Sequence, residues 1–196
     1  LRFAVELTDV TSLAQQSDFS IFQNAELVKA IACPGAAKLS RKEFDALTEF
    51  AKKQGAEGLA WAKVVNGAFD SPIAKFVAAP IQQSLVQTLG AQNGDALFFV
   101  ADTYLVVHET LGALRKKLAD QFRLAEPNQL AFAYIVDFPL FEQRKENGHY
   151  APMHHMFTRP KEEDIPLLET DPHTVRSWQH DMVLNGYEIA GGSLRI

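Results

Sequence analysis

The stretch that most constrains this chain is its last sixteen residues, DMVLNGYEIAGGSLRI, from Asp181 to Ile196. Asn185-Gly186 stands between two apolar-rich runs. This dipeptide is the commonest occupant of a two-residue type I′ turn, because both turn positions need φ > 0. The stretch is therefore expected to form an antiparallel hairpin. Counting outward from the turn pairs Leu184 with Tyr187, Val183 with Glu188, Met182 with Ile189 and Asp181 with Ala190. Side chains alternate faces along a strand, so Asp181, Val183, Glu188 and Ala190 are expected together. Two carboxylates beside a residue no larger than alanine suit a hard divalent cation such as Mg²⁺, which takes carboxylate oxygens and commonly keeps substrate phosphates as its other ligands. A charged, solvated hairpin edge satisfies the same pattern.

A hairpin needs a core to rest on. With 196 residues, 47% hydrophobic and 22% charged, the chain can build one good core or two modest ones. Its net charge of −5 argues against a wholly electrostatic nucleic-acid binder while leaving room for a basic face. The single cysteine, Cys33 in AIACPGA, permits no intramolecular disulfide and suits a reducing compartment. No metal-ligand spacing surrounds it, so a buried or turn-proximal thiol is expected rather than a nucleophile. No apolar run is long enough to span a membrane; the absence of a signal peptide and a cytoplasmic location are expected. The chain begins on Leu1, inside the strand-like LRFAVELTDV, and stops on the strand-like SLRI, so it is expected to be cut from something longer.

Residues 1–10 alternate like a strand, with Phe3, Val5 and Leu7 on one face, and SDFSIFQ around Phe19–Phe22 reads as another. LVKAIA, Leu27–Ala32, is a strand ended by Pro34-Gly35. A helix follows with a capping box at Ser40 and Glu43, apolar residues Phe44, Leu47, Phe50 and Ala51 at helical spacing, and Gly55 beyond its end. GLAWAKVV is a strand closed by Asn66-Gly67, Pro72–Phe76 an extended piece, and IQQSLVQTLG a helix closing on Gly90. ALFFVAD reads as a buried strand, with Asp102 capping the longest helix. That helix carries Val107, Leu111, Leu114 and Leu118 as its stripe; Arg115, Lys116 and Lys117 mark a solvated face or an RNA-proximal one. After Glu126-Pro127 the texture changes to a hydrophobic strand, FAYIVDFPLF, with a Pro139 kink. A polar tip with Asn147-Gly148 follows, then YAPMHHMFTRP, an acidic helix start at Glu162–Asp164, and Asp171-Pro172 as N-cap and N1. The fold class is α+β, with helices packed on a sheet over the first two thirds and antiparallel strands at the end. His154 and His155 are adjacent and lack the spacing of a zinc pair. Beside a cation and phosphate, a histidine serves better as a hydrogen-bond donor; as ordinary residues, one would be core and one exposed.

Four separated blocks, VDFPLFE (136–142), APMHHMFTRPKEED (151–164), LLETDP (167–172) and DMVLNGYEIAGGSLRI (181–196), resemble the late catalytic-domain blocks of bacterial-type aspartyl-tRNA synthetases. LSRKEFDALTEFAKKQGAEGLAWAKV, SPIAKF, NGDALFFVAD and LGALRKKLA resemble the insertion module of those enzymes, shared with a tRNA amidotransferase subunit. The resemblance covers nearly the whole chain in the same order. It implies a catalytic segment at 1–17, an insertion domain of GAD type at 18–128 and a second catalytic segment at 129–196. It further implies Asp181 and Glu188 as Mg²⁺ or ATP-phosphate ligands and Arg195 as a bidentate fork for the aspartate side chain. His154 would touch the amino acid with His155 nearby, Ser193 would lie near substrate or metal, and Gly191-Gly192 would allow close backbone approach. No catalytic acid, base or nucleophile is assigned.

The implied activity is aspartate–tRNA ligation with ATP and Mg²⁺, by a homodimer of the full-length enzyme. The remaining class II motifs and an anticodon-binding barrel would lie outside this chain, which alone is expected to be inactive. A non-catalytic tRNA-positioning module of an amidotransferase is the alternative; synthetases for asparagine or lysine lack the insertion. Two departures stand out. Ala190 replaces the first of three glycines, placing a methyl beside the expected metal site, and Met156 replaces a proline, loosening the histidine loop. Arg195 also has the wrong parity to share a face with Glu188, so a bulge at Gly191-Gly192 is expected.

Overall fold

The structure, a computed structural model, describes residues 5–126, 128–142 and 148–196. These residues form two compact units that divide near residue 127. No described helix is long and apolar enough to cross a membrane.

The first unit is built on a sheet of five strands: β1 (Thr8–Asp9), β2 (Leu27–Cys33), β3 (Ala60–Val65), β4 (Ala68–Asp70) and β5 (Ala96–Asp102). Their order is β1-β2-β5-β3-β4, and every pair is antiparallel. Helices cover both faces, which explains why ALFFVAD is apolar without alternation. Ala96, Phe98 and Val100 enter a core with Phe44 and Leu47 of α3 (Arg41–Lys53) and with the Val107, Leu111, Leu114, Leu118 stripe of α5 (Tyr104–Phe122). Leu97 and Phe99 enter a second core with Ala14 of α1 (Thr11–Ala14), Phe22 of α2 (Ser20–Asn24) and Leu85 of α4 (Ala79–Thr88). The α3 cap is reciprocal: Glu43 N donates to Ser40 Oγ, and Ser40 N donates to Glu43 Oε2 at 2.7 Å.

Local readings differ from the structure at four places in this unit. SDFSIFQ contains a helix, not a strand. Residues three apart share a helical face, and one turn brings Phe19 and Phe22 together at 4.9 Å while Phe19 stacks on Phe76. Pro72–Phe76 is not extended; it closes a 3-10 turn at Ala74–Phe76. Asp102 belongs to β5, opposite Leu27, so Thr103 takes the N-cap place of α5 without a side-chain bond. Of the strand expected at 1–10, residues 1–4 lie outside the described residues; among the described ones only Thr8–Asp9 pair as a strand, because Asp9 Oδ1 accepts from both Thr11 N and Thr11 Oγ1 and turns the chain into α1. Val10, Ala14 and Phe22 then share one core. The described residues before 18 therefore pack with those after it, and no break in packing appears there.

The second unit carries a three-stranded antiparallel sheet in the order β6 (Phe132–Ile135), β7 (Gln179–Leu184), β8 (Tyr187–Ser193). FAYIVDFPLF stops being a strand at Ile135, and Asp137 takes φ 62, a left-handed turn that short polar side chains tolerate. Of the polar tip expected at 143–149, residues 143–147 lie outside the described residues. Glu162–Leu168 and Pro172–Thr174 are 3-10 turns, and Asp171 precedes the second without a side-chain cap.

Candidate functional site

The hairpin forms on the expected turn. Asn185 and Gly186 have φ 49 and 90, and the Asn185 side chain secures the turn to the neighbouring segment. Its Oδ1 accepts from Ala131 N at 2.8 Å and its Nδ2 donates to Gln129 O at 3.0 Å. Leu184 faces Tyr187 and Val183 faces Glu188, as counted. Beyond that the register shifts by one residue: Met182 faces Ala190 and Asp181 faces Gly191, leaving Ile189 as the extra residue of a bulge. The shift that Arg195 requires is thus present, but at Ile189, three residues closer to the turn than Gly192.

That displacement changes which residues meet. Ala190 passes to the face of Met182, so its methyl group does not border the carboxylates, and Gly191 takes the expected place of Ala190. A Cβ on Gly191 would lie 2.8 Å from Asp181 Oδ1 and 3.2 Å from Glu188 Oε1. Both carboxylates therefore lean over the same bare backbone position. Gln179, two residues before Asp181 on the same strand face, donates from Nε2 to Asp181 Oδ1 at 2.9 Å. Ser193 faces Gln179 and joins this face. Gln179, Asp181, Glu188 and Ser193 occupy one sheet face together with Ala133, Ile135 and Val183, and Phe132, Tyr134, Met182, Leu184 and Tyr187 occupy the other.

The donor set is hard oxygen, and the described residues contain no group of three His, Cys, Asp or Glu arranged to hold a metal ion. Two carboxylates without a third protein ligand fit a cation that takes its remaining oxygens from water or phosphate.

Histidine and arginine candidates lie on adjoining segments. Past Ser193 the chain leaves β7 and bridges Arg195 to Thr158; Arg159 N donates to Leu194 O and Ile196 N to Phe157 O. The histidine turn thus runs directly alongside the Arg195 segment. His155 Nδ1 accepts from Phe157 N at 3.1 Å, and His155 O accepts from Thr158 N. These bonds close the turn around Met156 without a proline. His154 is exposed and sets its ring edge-on to Phe138 at 4.8 Å. Among the described residues no ion pair joins Arg195 to Asp181 or Glu188.

Sequence reading did not find the brace beneath the site. Arg176 donates from its backbone N, Nε and Nη2 to both oxygens of Asp164, at 2.8–2.9 Å, and from Nη2 to Glu163 Oε1. The guanidinium bonds hold the Asp164 carboxyl at about 2, well below its ordinary value. Trp178 Nε1 donates to Glu162 Oε2, Lys161 pairs with Asp137, and the Lys161 ammonium lies over the Trp178 ring. The brace ties the segment after the histidines to the start of β7. Acidic residues at 162–164 read equally as a helix-dipole match, so only the fold reveals Arg176 as their partner.

Residues 20–111 match the GAD domain family. Over its whole length the chain is 50% identical to the protein named aspartate–tRNA(Asp/Asn) ligase of Rubrobacter xylanophilus, across 200 residues. It is 49% identical to the aspartate–tRNA ligase of Listeria monocytogenes across 201 residues and 48% to that of Halalkalibacterium halodurans across 200. The chain is homologous to a segment of bacterial aspartate–tRNA ligases. Each alignment takes in 100% of the chain and 33–34% of the relative, so the chain spans about a third of the length of the ligases it matches. The GAD match opens at residue 20, inside the first unit; residues 5–19 lie outside the match yet pack within that unit.

Proposed function

We propose that this chain is the part of an aspartate–tRNA ligase that carries the inserted GAD module and the carboxylate hairpin of the catalytic domain. In the full-length enzyme, the α-carboxylate of aspartate attacks the ATP α-phosphorus and expels pyrophosphate, and the aspartyl group then passes to the terminal ribose of tRNA. Asp181 and Glu188 would hold Mg²⁺, which offsets charge on the ATP phosphates when bound. Arg195 would meet the aspartate side-chain carboxylate, for which its planar fork is suited. His154 is exposed and able to donate to the amino acid, His155 fixes the turn that carries it, and Ser193 shares the carboxylate face. A homodimeric, cytoplasmic enzyme belongs to the same reading.

The observation that carries the proposal is the identity of 47–50% across all of this chain, both units in order. The convergence of Asp181 and Glu188 over Gly191 agrees with it. A tRNA-positioning module alone accounts for residues 20–111 and leaves that carboxylate pair without a purpose.

Aspartate-dependent ATP–pyrophosphate exchange by the full-length protein tests the proposal. Exchange is expected with aspartate, with a loss of about 100-fold or more in Asp181→Asn and Glu188→Gln, the scale of removing one electrostatic stabiliser. The isolated 196-residue chain is expected to show none. Absence of exchange in the full-length protein, or full activity in both variants, would overturn it.

A further inference from the structure

We propose that Gln179 is a positioning residue for the Asp181 carboxylate, setting it with Glu188 for a divalent cation. The inference rests on the reading of those carboxylates given above. Three observations carry it. Gln179 Nε2 lies 2.9 Å from Asp181 Oδ1. The same oxygen lies 2.8 Å from the point where a Cβ on Gly191 would stand, with Glu188 Oε1 3.2 Å from that point. The bulge at Ile189 is what brings Gly191, rather than Ala190, opposite Asp181.

A carboxylate oxygen has two lone pairs, and the amide uses one. Oδ2 and the second lone pair of Oδ1 stay available to a metal. The amide therefore orients Asp181 without competing for it, as a ligand's hydrogen-bonding partner commonly does. A free aspartate would turn away from Glu188, and each rotamer fixed only on binding weakens the affinity. Gly191 works from the other side, since its missing Cβ is the space into which Oδ1 is held. Amide and bare backbone together fix the carboxylate.

Titration of the full-length protein with Mn²⁺ alone, reading free Mn²⁺ by electron paramagnetic resonance, tests this. Gln179→Met keeps the length of the side chain and removes the donor. It is expected to weaken Mn²⁺ binding about 10-fold, the lower end of the usual cost of losing a ligand's hydrogen-bonding partner, with an unchanged melting temperature. Excess Mg²⁺ should restore its turnover, so that the metal requirement rises while the maximal rate holds. Gly191→Ala should weaken Mn²⁺ binding by displacing Oδ1, and it provides the test if Gln179→Met does not fold. Asp181→Asn separates the two readings. If it leaves Mn²⁺ binding intact, the carboxylate site itself fails. If it abolishes binding while Gln179→Met or, where that does not fold, Gly191→Ala binds like the parent, the site stands and the positioning role is overturned.

Discussion

Side chains that look similar in the sequence behave differently once their neighbours are known. Ala190, expected beside the metal site, faces Met182 instead. Ala190→Gly should accordingly leave Mn²⁺ affinity within about twofold of the parent, a small effect expected of a methyl away from the ligands, though Gly costs roughly 0.5–1 kcal/mol of strand stability. Cys33 is fully buried in the first core, and burial pushes its thiol up to about 12. It should resist iodoacetamide until the unit unfolds. Its folded pKa is raised, so its share of stability is complete below the unfolded value near 9 and is lost as pH rises toward 12. Asp164 runs the other way. Its carboxyl is depressed to about 2, so its contribution is present above the ordinary value near 3.8 and disappears as pH falls through 2. Thermal unfolding of the parent and Asp164→Asn should differ at pH 7 and converge near pH 2.

Elements whose signals are local were legible, and those set by partners were not. The α3 helix has its cap, stripe and stop between Ser40 and Gly55, and all three form. Ser40→Ala should cost about 1 kcal/mol, the usual value of an N-cap, read as a fall in melting temperature of the first unit. The Asn185-Gly186 turn and its two nearest pairs were also readable, because turn geometry fixes register there. The bulge at Ile189 was inferable only as a parity demand from Arg195, and the glycine pair drew it to the wrong residues. SDFSIFQ looked like a strand because Phe19 and Ile21 alternate with Asp18 and Ser20. The Phe19–Phe22 spacing was the signal for helix, and Phe76, its stacking partner, is far along the chain. Gln179 was open to the same parity count that paired Asp181 with Glu188. Asn185→Gly keeps the φ > 0 turn but loses the bonds to Ala131 N and Gln129 O. It should cost about 1–2 kcal/mol for two hydrogen bonds, measured by denaturant unfolding.

At the scale of the whole chain, the two units differ in how completely they bury their sheets. The first has helices on both faces, and its central strand β5 has five consecutive buried residues. The second has one face carrying carboxylates and the other carrying Phe132, Tyr134 and Tyr187, the last 78% exposed. Hydrogen exchange should therefore be slowest in β2 and β5 and faster throughout β6–β8. The central claim is that a one-residue shift at Ile189 gathers Asp181 and Glu188 over Gly191 to hold a divalent cation. Crystals of the full-length protein grown with Mn²⁺ and ATP test it through anomalous scattering. The account predicts a peak shared by the Asp181 and Glu188 oxygens with Ala190 turned to the opposite face. A straight register that pairs Asp181 with Ala190, or a peak held by neither carboxylate, would contradict it.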